Sequence, residues 1–252
     1  FNSFADESPF PKISIRGEKL FAGDEELILK AMGYAGFRPG KDYMDPIPDD
    51  ELGYQLVEMD MERIKAAGFN AIRTWSLLDE KRTEIAAKYG LWVVGGIWTT
   101  QEIDLSSEEK IKQAEEHVAL QAARYAKHPN VAMLLILNEP NPAMLLGHKP
   151  EDIKNYFDRL ADAARKNCPN IPVSFSNWAP GVFIDSSSWD VISFNLYHQS
   201  VPEFKKAIGY KGYVEGIKNL KAKGKPFFLS EYGFYTPVPE LNPKDLWKYN
   251  YV

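Results

Sequence analysis

Short runs of β-forming residues alternate along this chain with longer segments of helical periodicity, and this alternation limits the fold more than any other feature. A small hairpin, Ile13–Arg16 and Lys19–Ala22 around Gly17-Glu18, comes first. Apolar runs at 27–34, 70–74, 91–97, 131–137, 172–175, 191–194 and 227–229 then read as core strands. Between them lie helical patterns. One carries Leu52, Leu56, Met59 and Ile64 and stops at Gly68; another covers 79–89. Ser106 with Glu109 matches a capping box opening a helix whose inward residues are Ile111, Ala114, Val118, Ala122 and Tyr125. A helix from Pro150 buries Ile153, Phe157, Leu160 and Ala164, and Val214, Ile217 and Leu220 mark the last one.

Strands separated by return helices form a parallel sheet with right-handed crossovers. A length of 252 residues fits one eight-unit β/α barrel, which takes about 250. The expected fold is therefore α/β: a single (β/α)8 TIM-barrel domain over 1–252 with an N-terminal hairpin at about 13–22. Only seven core strands are readable. Too few residues follow Glu231 for an eighth β/α unit, so the barrel is expected to be short at its C-terminal end.

Composition removes several function classes. With 30 Lys and Arg against 35 Asp and Glu, the chain has no cationic surplus to neutralise phosphates, which argues against a nucleic-acid partner. The single cysteine, Cys168, excludes an intramolecular disulfide and any multi-cysteine metal centre, and it does not decide the compartment. The longest apolar run, 131–137, falls far short of the roughly 20 residues of a spanning helix. No histidine pair has the i, i+4 metal spacing, and phosphate-loop, nucleophile-elbow and dinucleotide fingerprints are missing, so no metal or cofactor is expected.

In a β/α barrel the chemistry sits at the C-terminal ends of the strands. Here the strand ends supply Tyr34, Arg73 with Trp75, Trp98, Asn138-Glu139-Pro140-Asn141, Asn177-Trp178, Asn195 with Tyr197 and His198, and Glu231-Tyr232. Aromatic faces stack on sugar rings while amides and charges bind hydroxyls, so a mouth of this composition suits an oligo- or polysaccharide, lined by Tyr34, Trp98, Trp178 and Asn195. Glu139 and Glu231 are the sharp element. Glycoside hydrolysis needs one carboxylic acid to protonate the leaving oxygen and a second carboxylate across the anomeric carbon, and the fourth and seventh strands face each other across a barrel.

The stretches Gly68-Phe-Asn-Ala-Ile-Arg73-Thr-Trp75, Leu137-Asn138-Glu139-Pro140 and Lys225-Pro-Phe-Phe-Leu-Ser-Glu231-Tyr-Gly233 resemble the retaining β-glycosidases with an eightfold β/α barrel, most closely the catalytic domains of glycoside hydrolase families 2 and 5. The opening hairpin followed by Leu29-Lys-Ala-Met-Gly-Tyr34 resembles the start of those domains. The resemblance implies Glu139 as acid/base and Glu231 as nucleophile. It implies that Asn138 binds the sugar 2-hydroxyl, that Arg73 pairs with the nucleophile and keeps it ionised, and that Tyr197 hydrogen-bonds Glu231, with His198 a neighbouring candidate. Two features depart from the families: the tryptophan-bearing eighth strand usual in family 5, and the β-sandwich domains that precede the barrel in family 2.

Other readings use the same residues. The glutamate pair also supports transglycosylation. Glu139, Glu231 and His198 would serve as oxygen and nitrogen ligands in a metal-dependent barrel enzyme, and a non-catalytic carbohydrate-binding barrel would keep the aromatic cleft alone. Trp75, Trp98 and Trp178 suit core packing as well as a sugar platform. His117 and His128 read as structural, and Glu58, Asp60 and Glu62 as a solvated helix face.

Overall fold

The computed structural model describes residues 9–38, 46–198 and 208–233. Its centre is a seven-stranded parallel sheet in which every strand pairs with its neighbours in chain order: β4 (Ala31–Gly33), β5 (Ala71–Arg73), β6 (Trp92–Ile97), β7 (Val131–Asn138), β8 (Val173–Trp178), β9 (Ile192–Asn195) and β10 (Phe227–Glu231). This is a nearly closed β/α barrel. The residues after Gly233, where an eighth unit would have to lie, fall outside the described residues.

The N-terminal hairpin forms as the sequence predicts, from β1 (Ile13–Arg16) and β2 (Lys19–Ala22), and gains a third antiparallel strand, β3 (Glu25–Glu26). The first core strand is shorter than the apolar run at 27–34. The backbone N–H of Leu27 still bonds to Leu20 of the hairpin at 2.8 Å, and that of Lys30 is taken by the Asn70 side chain at 2.7 Å, so residues 27–30 cross between sheets.

Among the described residues the α-helices are α1 (Glu51–Ala66), α2 (Glu80–Lys88), α3 (Glu108–Tyr125), α4 (Pro142–Gly147), α5 (Pro150–Asn167) and α6 (Gly209–Lys221). α1 buries Gly53, Val57, Met61 and Ile64, whereas Leu52 and Met59 of the expected face are exposed. The rotation follows from a close approach at its first turn: a Cβ on Gly53 would lie 1.9 Å from the Pro48 carbonyl oxygen, so only glycine lets this face seat. In α6 Tyr213 and Ile217 are buried and Leu220 is exposed. The N-cap of α3 is Ser107 rather than Ser106, because the Ser106 hydroxyl is engaged by Asp104 at 2.6 Å. α4 follows directly on the β7 exit; Asn141 caps it, accepting from the Ala143 N–H at 2.7 Å.

Two apolar clusters hold these layers. The larger lies between sheet and helices, with α5 contributing Ile153, Phe157, Leu160 and Ala164 as its spacing requires. The smaller gathers Ala71, Trp92, Val94, Met133, Leu135 and Val191 from the other strand faces, together with Phe10, Ile13 and Leu20. Phe10 meets Trp92 edge-on with centroids 4.8 Å apart. Ala71 and Trp92 begin their strands, so the hairpin plugs the N-terminal end of the barrel and leaves the opposite end open. No helix among the described residues is long and apolar enough to cross a membrane.

Candidate active site

The open end carries the polar residues. β7 delivers Asn138 and Glu139 through an irregular exit: its pairing with β8 shifts between Ile136 and Asn138, and Leu137 (φ 55°) and Glu139 (φ 49°) both occupy the left-handed region that side chains rarely adopt. The Glu139 N–H is nonetheless paired, donating to Ser176 of β8 at 2.8 Å. β10 shows a comparable break in its pairing with β9, between Leu229 and Glu231. Each carboxylate thus stands where a regular ladder ends, and such strain persists where surrounding structure fixes it.

Around Glu231 one cation and two hydrogen-bond donors converge. The Arg73 guanidinium, 3% exposed, pairs with Oε1 at 3.0 Å, the Trp75 indole N–H donates to the same oxygen at 2.8 Å, and the Tyr197 hydroxyl donates to Oε2 at 2.6 Å. Burial and the negative charge of Glu231 hold the Tyr197 hydroxyl protonated, well above the ordinary phenol range. Arg73 also lies over the Trp75 ring, 3.9 Å from its centroid, and its Nη2 donates to Asn138 Oδ1 at 2.7 Å and to Ser176 Oγ at 3.2 Å. Burial pulls the guanidinium down to about 10, with Glu231, Tyr197 and Glu139 pulling it back up.

Glu139 has a different setting. Its Oε1 accepts from Asn195 Nδ2 at 2.8 Å, and Asn195 is fixed in turn by accepting from Ser230 Oγ at 2.7 Å. Burial lifts the Glu139 carboxyl above its ordinary range; the Asn195 bond and Arg73 oppose the lift, and the charge of Glu231 adds to it. Asn138 is held through its side-chain oxygen by Arg73 and by Asn195 at 3.2 Å, and Gln101 donates to its backbone carbonyl. That leaves the Asn138 amide N–H groups as the donors that can face a ligand.

The other expected residues are placed as follows. Trp178 is half-buried and pinned by its indole N–H to the Pro140 carbonyl at 3.1 Å, beside Glu139. Trp98 is 47% exposed, and its carbonyl contacts the His117 ring at 2.9 Å, which accounts for that histidine. Tyr34 gives its hydroxyl to Asp60 of α1 at 3.0 Å, and Arg38 donates to the other Asp60 oxygen at 2.7 Å, so Asp60 is a half-buried anchor and not a solvated face residue. His198 is exposed, its ring 5.9 Å from that of Tyr210. Among the described residues no three His, Cys, Asp or Glu side chains group as a metal site, so Glu139, Glu231 and His198 do not form the triad that the metal-dependent reading requires.

Ser176 and Ser230 were not expected at this site, and Trp75, expected at the mouth as core or sugar platform, instead bonds to Glu231. Trp75 was legible in principle: it lies two residues beyond Arg73, and alternate residues of an extended chain share a side. The serines carry no such signal, since a small hydroxyl inside a strand reads like any other core-lining residue.

A family model described as "Glycosyl hydrolases family 2, TIM barrel domain" matches residues 47–239. The chain is 29% identical to a probable beta-mannosidase of Caenorhabditis elegans, over 68% of this chain and 20% of that protein. It is 24% identical to the 1,3-beta-glucanosyltransferase gel1 of Aspergillus fumigatus, over 89% of this chain and 52% of that protein. In fold it is similar to the beta-glucuronidase of Bifidobacterium dentium complexed with coumarin-3-O-glucuronide (TM-score 0.70, 18% identity, 92% of this chain and 37% of that one) and to that of Dictyoglomus thermophilum (TM-score 0.66, 19% identity, 92% and 41%). The chain thus spans between a fifth and about half of the length of these curated relatives.

Proposed function

This chain belongs to the family 2 glycosyl hydrolases through its TIM-barrel domain, and from that premise we propose that it hydrolyses β-linked glycosides with retention, Glu139 serving as acid/base and Glu231 as nucleophile. The observation that carries the reading is the contrast between the two carboxylates. Glu231 is met by a guanidinium, an indole N–H and a phenol, while Glu139 has one amide donor and a carboxyl lifted by burial. Environments that push two carboxyls apart in this way suit one to hold a proton and the other to attack.

In the first step the Glu139 proton passes to the glycosidic oxygen as the bond from that oxygen to the anomeric carbon breaks, and a Glu231 oxygen bonds to the same carbon. In the second, Glu139 takes a proton from water, whose oxygen displaces Glu231. Asn138, its carbonyl occupied by Arg73 and Asn195, turns its N–H groups to the sugar 2-hydroxyl, and Tyr34, Trp98 and Trp178 line the rest of the substrate's path. The similarity to a glucanosyltransferase favours transfer to a sugar hydroxyl as a second reading of the same intermediate.

The test is trapping. A panel of aryl β-glycosides, including glucuronide, galacturonide, mannoside and glucoside, selects the sugar, and its activated 2-deoxy-2-fluoro analogue is incubated with the protein. A mass increase on a peptide carrying modified Glu231 is expected; a label on any other residue overturns the assignment. Products formed with added oligosaccharide acceptors separate hydrolysis from transfer.

A further inference from the structure

Resting on the reading of Glu231 as nucleophile, we propose that Tyr125 of α3, which touches neither carboxylate, is a positioning residue that sets the nucleophile through Trp75. Tyr125 is fully buried, and its hydroxyl sits at a junction of four groups. It accepts from the Leu78 N–H at 3.0 Å, lies 3.4 Å from Thr74 Oγ1, and is within 3.4 Å of the Ser76 carbonyl and 3.3 Å of the Gly96 carbonyl. Thr74 closes the circuit by accepting from the Gly96 N–H at 3.0 Å. Three of the groups that surround the phenol belong to the segment that leaves β5, on either side of Trp75 in sequence.

The neighbouring glycines show that the arrangement is built tightly. A Cβ on Gly95 would lie 2.6 Å from the Tyr125 ring, and one on Gly96 would lie 2.3 Å from the Thr74 carbonyl oxygen and 2.4 Å from the Trp75 carbonyl carbon. Gly95 thus admits the phenol and Gly96 lets the backbone of residues 74–75 lie flat on β6. On its other side the same segment borders a cavity of about 500 Å³, lined by Tyr34, Phe37, Ile47, Trp75 and Leu77 among others. A loop packed on one side and facing open volume on the other depends on its hydrogen bonds for position, and the Tyr125 hydroxyl supplies the central ones. The consequence reaches the chemistry because the Trp75 indole donates to Glu231 Oε1 at 2.8 Å, and small misplacement of a catalytic group is expensive in rate.

The experiment compares Tyr125→Phe, Trp75→Phe and the double variant with the aryl β-glycoside selected by the panel above, and determines the crystal structure of Tyr125→Phe. Tyr125→Phe keeps the ring and is expected to lower kcat about tenfold at nearly unchanged KM. In the Trp75→Phe background the same change should lower kcat no further. Equal losses in both backgrounds overturn the proposal, as does a Trp75–Glu231 hydrogen bond left intact in the variant structure. A bond that is lost with kcat unaffected counts against Glu231 as the nucleophile and leaves the positioning through Trp75 standing. If Tyr125→Phe does not fold, Thr74→Val removes the bridging hydroxyl beside an intact phenol; the same non-additivity with Trp75→Phe is expected, and simple additivity overturns the proposal.

Discussion

The Asn195 amide nitrogen lies 2.8 Å from Glu139 Oε1, and the other end of the same amide is anchored by Ser230. Because Asn195 donates, it favours the ionised carboxylate and works against the burial that lifts Glu139. Removing it in Asn195→Ala therefore raises the Glu139 carboxyl further. The alkaline limb of a kcat/KM profile, which follows loss of the acid's proton, is expected to move to higher pH. The rate at the optimum should fall roughly tenfold, as for loss of one charge-assisted hydrogen bond. A limb that stays in place or moves down shows that Glu139 is not the proton donor.

Glu139 also makes a prediction for stability. A carboxyl lifted by folding binds its proton more tightly in the folded protein than in the unfolded chain. The associated stabilisation is present below the ordinary glutamate value of about 4.3 and is lost as pH rises through the lifted folded value. At neutral pH the ionised side chain is thus a net burden. Glu139→Gln, which keeps the shape and removes the charge, is expected to melt higher than the parent at pH 7, at roughly 2–4 °C per kcal/mol for a domain of this size. The advantage should vanish by about pH 4, where the parent carboxyl is protonated. Melting curves by calorimetry across that range check both the sign and the window.

Most of this site was legible because a β/α barrel turns linear order into position: a residue that ends a strand is at the mouth. Glu231, Arg73, Asn138 and Tyr197 reach their places by that rule. The rule gives no orientation, and the expectations it supported for Tyr34 show the cost. Strand order puts Tyr34 at the mouth, but Asp60, two turns along α1, takes its hydroxyl, and periodicity alone read Asp60 as solvated. The face of α1 was misread for a related reason. Leu52, Leu56 and Met59 form a plausible apolar stripe, and only the contact between Gly53 and Pro48 shows that the helix seats on the next one. Side-chain partners between elements distant in sequence, such as Trp75 with Glu231, depend on the assembled geometry and leave no local pattern.

If Glu139 is the acid, its importance must depend on the leaving group. General acid assistance contributes about 10²–10⁴ where the departing oxygen is basic and little where it leaves readily as a phenolate. Glu139→Ala is therefore expected to lose a factor of about 10²–10⁴ on an alkyl or disaccharide β-glycoside, and much less in the first step with a dinitrophenyl β-glycoside. A glycosyl-enzyme made from the activated substrate would then accumulate, since the second step needs Glu139 as base. Added azide, which attacks without deprotonation, should restore turnover and give the β-glycosyl azide. Equal losses with good and poor leaving groups would assign Glu139 a role other than proton transfer.

Arg73 is the test of how Glu231 is held. It is buried, yet one of its nitrogens serves Glu231, Asn138 and Ser176, while its plane lies on Trp75. A lysine keeps the charge but has no flat face for the indole and places its ammonium differently from the nitrogen that serves these three partners, so the exchange is not conservative here. Arg73→Lys is expected to lower kcat by about two orders of magnitude at neutral pH, as for a displaced ion pair at a reacting group together with loss of the bond to Asn138. The pH dependence gives a second signature. Burial lowers a cation's pKa, and lysine starts from about 10.4, below arginine. The ammonium should therefore lose its proton at lower pH than the guanidinium, which stands at about 10. The variant's residual activity is expected to decline at a lower pH than the parent's. A variant whose alkaline limb coincides with the parent's would show that the charge at position 73 does not support the reaction.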